Sequence, residues 1–211
     1  MKITILGAGN VGGALGQSWA SSGHEIIFGV PKPSEAKTRN TVTRIGAKAS
    51  AKSVAEAAAL GEIVVLATPW AATEAAVRDA GAGLRNKVVI DCTNPLTADF
   101  NALTIGTNDS GGEQVARWAV GASVFKAMNQ TGADNVIKPT FKGGKPVMFV
   151  CGDDETRKPV VLGLVAELGF ETIDAGGLAV ARLLEPYGLL WIHLALRRKL
   201  GREFAFGILR R

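Results

Sequence analysis

The 211-residue chain is 47% hydrophobic and 20% charged, an ordinary balance for a globular domain with a sizeable core. Its 24 Lys and Arg against 19 Asp and Glu leave a formal charge of +5. The basic residues are scattered except in the tail "LRRKLGREFAFGILRR", and no aromatic-interleaved basic motif occurs, so nucleic acid is not an expected partner.

In chain order, "KITIL" (Lys2–Leu6) predicts a strand, and Val11, Leu15 and Trp19 recur at helical spacing over Asn10–Ser21. "SSGHE" reads as a turn and "IIFGV" (Ile26–Val30) as a second buried strand. The two prolines of "PKPSEAKTRN" predict a break in regular structure. A short strand near Lys48 precedes a helix over Ser53–Ala59; the strand "EIVVLA" (Glu62–Ala67), the turn "TPW" and the helix "AATEAAVRDA" follow. "KVVIDC" (Lys87–Cys92) is a fifth strand, and the polar stretch after it is longer than ordinary connections, as functional loops often are. A helix over Glu113–Val120, the strand "SVFKAM" (Ser123–Met128) and a loop rich in Gly, Asn and Pro lead to the strand "KPVMFVCG". Asp153 or Asp154 is expected to cap the helix "DDETRKPVVLGLVAEL". After the strand "FETIDAG", the remainder from Leu178 reads as mainly helical, with Leu183, Tyr187, Leu190 and Leu194 on one stripe.

Apolar strands alternating with helices predict an α/β protein: a Rossmann-type, doubly wound, mostly parallel sheet with a small helical C-terminal segment. Residues 1–150 are expected to form the dinucleotide-binding domain, and 151–211 a strand–helix segment completing the sheet and the substrate side. The stripe near Trp191 is either core or the face of a homodimer. Cys92 and Cys151 make neither a disulfide framework nor a zinc pair, which suits a reducing, cytoplasmic setting. No signal-peptide core is present, and the longest apolar run, Tyr187 to Leu196, falls short of the roughly 20 residues needed to span a bilayer, so no membrane partner is expected.

Gly7, Ala8, Gly9, Asn10, Val11 and Gly12 fit G-x-G-x-x-G between a strand and a helix. The first glycine permits the tight turn, the second lets backbone approach a pyrophosphate, and the third lets helix pack on strand. The anion then rests on unpaired amides at the helix N-terminus. The second strand ends without the Asp or Glu that would bond the ribose hydroxyls of NAD; Lys32, Lys37 and Arg39 follow, which suits the 2′-phosphate of NADP(H). A solvated basic loop is the plainer reading of those three residues. "TPW" (Thr68, Pro69, Trp70), "CTNP" with Asn94, and "MNQTG" (Met128–Gly132) follow the fourth, fifth and sixth strands, where a doubly wound fold places ligands. Ordinary packing for Trp70, and loop capping for Asn94 and Asn129, are the alternatives.

The set "ILGAGNVGGAL", "VVLATPW", "VFKAMNQTG", "VCGDDETRK" and "DAGGLAVARLLE" resembles the coenzyme F-420-dependent NADP oxidoreductases, which pass hydride between a deazaflavin and NADP. The likeness runs over nearly the whole chain. It implies that Ala8, Gly9, Asn10 and Val11 line the phosphates, and that the loop from Val30 to Lys32 faces the 2′-phosphate. It also implies that Thr68, Pro69 and Trp70 border the adenosine and ribose. Asn129, Gln130, Thr131, Gly132 and Ala133 then form the nicotinamide and flavin side, next to Met128. This chain has Val30-Pro31 where the family often has Ser-Arg or Arg, so the phosphate clamp rests on Lys32 or later residues. It has Asn129 where the deazaflavin enzyme has a histidine.

The only histidines are His24, in a turn, and His193, on the apolar stripe and expected to be packed; no carboxylate pair or metal cluster stands out. Chemistry with little acid–base help is expected, namely hydride transfer between two flat rings to a small-molecule acceptor, a deazaflavin F-420 or a flavin, with Asn129 orienting a ring. The residues leave two alternatives. One is a module that senses NADPH without turnover; the other is a dehydrogenase of small hydroxy or imino acids using Lys126.

Overall fold

A computed structural model describes all residues, Met1–Arg211. The strands are β1 (Lys2–Leu6), β2 (Glu25–Gly29), β3 (Ala49–Lys52), β4 (Ile63–Leu66), β5 (Val88–Asp91), β6 (Ser123–Lys126), β7 (Val147–Gly152) and β8 (Glu171–Asp174). They form one eight-stranded sheet in the order β3-β2-β1-β4-β5-β6-β7-β8. The first six are parallel, β7 runs antiparallel to β6, and β8 is parallel to β7. The order reverses between β1 and β4, so a crevice opens beyond their carboxyl ends.

The strand β4 (IVVL) is wholly apolar, and β1 from Ile3 and all of β5 are likewise buried, because both sheet faces are covered. Alternate residues serve opposite layers. Ile3, Ile5, Val65 and Ile90 pack with Trp19 and Val161 from α1 (Asn10–Ser21) and α7 (Lys158–Glu167). Leu6, Val64, Leu66 and Val89 pack with residues of α3 (Val54–Leu60), α4 (Trp70–Ala80) and α5 (Gly111–Trp118). Trp19 Nε1 donates to the Leu164 carbonyl at 2.9 Å, tying α1 to α7 across the sequence.

The structure departs from the sequence pattern in several places. The stretch after β2 contains α2 (Ala36–Ile45), because Pro31 and Pro33 both precede its first turn and interrupt nothing inside it. The loop after β6 contains the short α6 (Ala133–Ile137). Neither Asp153 nor Asp154 caps α7, which starts at Lys158 with a proline in its first turn. Asp154 Oδ1 accepts from the N–H groups of Thr156 and Arg157, both at 3.1 Å, in the turn before the helix. Asp153 instead accepts from the Leu178 N–H at 2.7 Å.

The C-terminal region is helical only in part. A 3₁₀ turn (Leu178–Val180), α8 (Ala181–Ile192) and a π turn (His193–Arg197) are followed by an irregular tail. The buried face of α8 is Ala181, Leu184, Glu185, Gly188 and Trp191. The expected stripe lies away from it: Leu183 is 69% and Leu190 47% exposed, and His193 is exposed rather than packed. The division at residue 150 falls inside β7, and the sheet continues across it to β8.

Candidate functional site

The glycine loop joins β1 to α1 at the switch point. Gly7 has φ +107°, and a Cβ on it would meet the Ala67 carbonyl oxygen at 2.6 Å. A Cβ on Gly12 would collide with the Gly7 carbonyl oxygen, so the third glycine is fixed by the turn it packs on. Gly9 differs: a Cβ there would meet nothing within 4 Å. Gly9 is the N-cap of α1, makes no side-chain cap bond, and is followed by a first turn without acidic residues. The first N–H groups of α1 therefore face an open, uncharged space suited to a phosphate. Ala8 is buried and its carbonyl accepts from Thr41 Oγ1 at 3.4 Å, so α2 fixes the loop from outside. Asn10 is exposed and Val11 is half-buried.

Beyond β2, Val30 is only 7% exposed and its side chain belongs to the core, so it presents no side chain to a ligand. Just beyond the end of β2, it can meet a ligand only through its backbone, in keeping with a clamp that rests on Lys32 or later residues. Lys32, Lys37 and Arg39 are exposed and form no ion pair, leaving three cations along the start of α2.

At the end of β4, Thr68 is half-buried, with its hydroxyl 2.9 Å from that of Thr73, and Pro69 is exposed as the N-cap of α4. Trp70 stacks on Trp118 at 5.5 Å and lies against Gly111, so it joins α4 to α5 while remaining partly exposed.

An amide network links the ends of β5 and β6. Asn94 Nδ2 donates to the Asn129 carbonyl at 2.7 Å. Asn129 Nδ2 donates to Asn94 Oδ1 at 2.9 Å and to the Leu184 carbonyl at 3.0 Å, while Asn129 Oδ1 accepts from Gln130 Nε2 at 2.9 Å. Asn129 is 5% exposed and both its N–H donors are engaged, so no donor remains to hold a substrate ring. Its expected catalytic role is corrected to a positioning one: it fixes the loop. Gln130 pairs in both directions with the Phe149 backbone, at 2.9 and 3.0 Å, replacing the ladder where β6 leaves the sheet. Met128 is buried with φ +60°, a strained conformation for a non-glycine residue that packing must maintain. Thr131, Gly132 and Ala133, the next three residues of the loop, are all half-exposed. Thr131 Oγ1 accepts from Asn135 Nδ2 at 2.9 Å, which leaves its own proton to donate outward.

Below this loop lies a buried ion cluster. Lys126 Nζ, fully buried, sits 2.7 Å from Asp91 Oδ2, 2.8 Å from Glu185 Oε1 and 2.9 Å from the Thr93 carbonyl. Glu185 also accepts from the N–H groups of Gly111 and Gly112, both at 2.9 Å, at the start of α5. Burial opposes the Lys126 charge, but the two carboxylates outweigh it and hold the pKa above the ordinary lysine value. A lysine so enclosed does not exchange protons with a ligand, which removes the reading of Lys126 as a catalytic group. Cys92, next to it, is mostly buried, and that burial pushes its thiol pKa up, so it is no nucleophile.

The helix after Leu178 was expected, but not the face of α8 that meets the loop. Its Gly188 lies against the Asn129 carbonyl oxygen, where a Cβ would approach to 2.6 Å, and its Trp191 covers Gly132. The available signal was Glu185, one charge at buried spacing with Ala181, Leu184 and Gly188.

The sequence profile of the family described as NADP oxidoreductase coenzyme F420-dependent matches residues 2–95. The crystal structure of a candidate F420-dependent NADP-reductase from Arthrobacter sp. FB24 has the same fold at a TM-score of 0.91, with 32% sequence identity and coverage of 100% of both chains. The chain belongs to this family. An F420-dependent NADP reductase from Methanothermobacter marburgensis is 29% identical over 95% of each chain. An imine reductase from Myxococcus stipitatus in complex with NADP+ shares the fold, at a TM-score of 0.70 and 18% identity over 95% of this chain and 64% of that one. In this F420-dependent NADP oxidoreductase relative, the profile spans the glycine loop, the β4 turn and "CTNP"; the "MNQTG" loop and α8 complete the site from outside it.

Proposed function

We propose that this protein is an NADP(H)-dependent oxidoreductase that exchanges hydride with an F420-type deazaflavin or a related flavin-like acceptor. The observation that carries the reading is the empty space over Gly9, where α1 begins beside a rigid amide-braced loop. The full-length likeness to proteins described as F420-dependent NADP reductases supports the acceptor class. The amides of Gly9, Asn10 and Val11 would hold the pyrophosphate, and Lys32 with Lys37 or Arg39 the 2′-phosphate. Bound NADP(H) supplies the hydride chemistry. The protein's share is alignment: Asn94, Asn129 and Gln130 hold the loop, Trp191 backs Gly132, and Thr131 offers a hydroxyl. Such fixed placement contributes on the order of 7–11 kcal/mol toward lowering a barrier. No helix is long and apolar enough to cross a membrane. Both cysteines are free and buried, and a cytoplasmic setting accords with that.

NADPH is expected to bind at least about tenfold tighter than NADH, equivalent to ~1.4 kcal/mol. Charge-assisted bonds from the unpaired cations after β2 would provide the difference. Titration calorimetry with both nucleotides checks it; equal affinities would remove the phosphate argument.

Single-turnover hydride transfer is expected to stay nearly flat between about pH 6 and 8, where a free imidazole would titrate. His24 is 2.7 Å from Glu167 at the foot of α7, His193 is exposed at the end of α8, and the Lys126 pKa is held high. Stopped-flow rates at saturating NADPH test this, and a bell-shaped profile would indicate an acid–base group at the site. For the function itself, anaerobic NADPH oxidation is measured against F420, FMN, FAD, quinones and ferric chelates. The deazaflavin is expected to react fastest, whereas binding of NADPH with no acceptor reduced would favour a sensing module.

A further inference from the structure

The buried ion cluster carries more charge than a structural pin needs. Lys126 commits its three N–H donors to Asp91 Oδ2, Glu185 Oε1 and the Thr93 carbonyl, so none is left for a ligand. The carboxylate oxygens likewise meet donors only. Asp91 Oδ1 accepts from the N–H and the hydroxyl of Thr93 at 2.9 and 2.7 Å, and Glu185 accepts from the N–H groups of Gly111 and Gly112. One ammonium against two carboxylates leaves a formal surplus of one negative charge, on side chains of residues at most 1% exposed.

Neither carboxylate has a second cation as partner. Arg182, on the same helix as Glu185, is held by Glu113 through two of its donors. The N-terminus of α5 offsets at most about half a charge and leaves the sign unchanged. Burying the second carboxylate is costly where a Lys–Glu pair alone would tie α8 to the sheet. Its position gives the surplus a use. The Thr93 carbonyl that Lys126 holds belongs to the residue before Asn94, and Asn94 bonds to Asn129, three residues beyond Lys126. The cluster therefore lies directly behind the amide network, at the carboxyl ends of β5 and β6, the edge at which a doubly wound sheet receives a dinucleotide.

We infer that Asp91, Glu185 and Lys126 tune the nicotinamide by their field: the surplus negative charge favours the cationic ring of NADP+ over the neutral ring of NADPH. The inference rests on the reading of the protein as a hydride exchanger. When the C4–H bond of NADPH breaks, the hydrogen leaves with both electrons for a carbon of the acceptor ring, and the acceptor takes a proton from water. The nicotinamide is left with one positive charge, and the cluster stands fixed behind it with no reorganisation. Its low-dielectric surroundings give the charge reach, and salt screens it little. The three residues touch no ligand, so they shift the bound pair toward NADP+ and leave the equilibrium in solution as it is.

Titration calorimetry without any acceptor tests this, using NADP+, NADPH and the benzamide analogue of NADP+. That analogue has carbon in place of the ring nitrogen and no ring charge. Wild type is expected to bind NADP+ about fivefold tighter than the analogue, at low salt and at about 0.3 M salt alike. Asp91→Asn and Glu185→Gln each neutralise the cluster, and each should lower the ratio of NADP+ to NADPH affinity about fivefold. Asp91→Asn combined with Lys126→Met disturbs more contacts but keeps the surplus of one negative charge, so its ratio should match wild type. Equal affinity of wild type for NADP+ and the benzamide analogue overturns the inference and leaves the hydride reading intact; this arm stands even where a variant fails to fold. A ratio unmoved in both single variants also overturns it. So does a ratio that moves as far in the double variant, because contacts rather than charge would then set it. Wild type that binds neither NADP+ nor NADPH removes the dinucleotide reading and this inference with it.

Discussion

Replacing Gly9 by valine is expected to lower NADPH affinity at least about a hundredfold, or roughly 2.8 kcal/mol. A Cβ at Gly9 meets no protein atom within 4 Å, and its backbone, φ −77° and ψ −161°, is open to any residue. The folded protein therefore has room for the isopropyl group, and only poorer capping of α1 would cost stability, at most about 1 kcal/mol. The space filled is the one a phosphate must enter to reach the first amides of the helix. Gly12→Ala gives the contrast. Its methyl group collides with the Gly7 carbonyl, so melting temperature and affinity should fall together. Calorimetry with a thermal melt on each variant separates the two, and unchanged affinity in Gly9→Val would mean that the loop is only a turn.

Lys126→Met is expected to destabilise the protein by about 3–5 kcal/mol, because it leaves Asp91 and Glu185 buried with no counter-ion. Methionine fills much of the volume, so the loss is electrostatic rather than a cavity. Adding Asp91→Asn should restore part of the stability, since one of the two stranded charges is then removed. Urea denaturation of the single and double variants measures this. A single variant as stable as wild type but unable to transfer hydride would return Lys126 to the reaction.

The sheet was legible because its strands are short apolar runs punctuated by glycine and proline, and the glycine loop because each glycine answers a separate steric demand. Reading failed where one residue has two plausible roles. Pro31 and Pro33 look like breakers, yet a helix starts three residues later. Asn129 looks like a ligand-facing amide, and only the positions of Asn94, Leu184 and Gln130 show that its donors are taken. Leu183 and Leu190 form an apolar stripe, but Glu185 and Gly188 mark the face that is buried, because the partners they need come from α5 and the β6 loop. Contacts between residues distant in sequence decided each case, and a single sequence does not display them.

Hydride is expected to pass from NADPH to the ring of a deazaflavin held at the Met128–Ala133 loop. The most direct test uses NADPH deuterated at the transferred position, F420 and the purified protein under anaerobic conditions, with mass spectrometry of the reduced acceptor. Deuterium is expected on the deazaflavin carbon in proportion to NADPH consumed, with none lost to water. Unlabelled reduced acceptor, or NADPH bound tightly with no acceptor reduced, would contradict it.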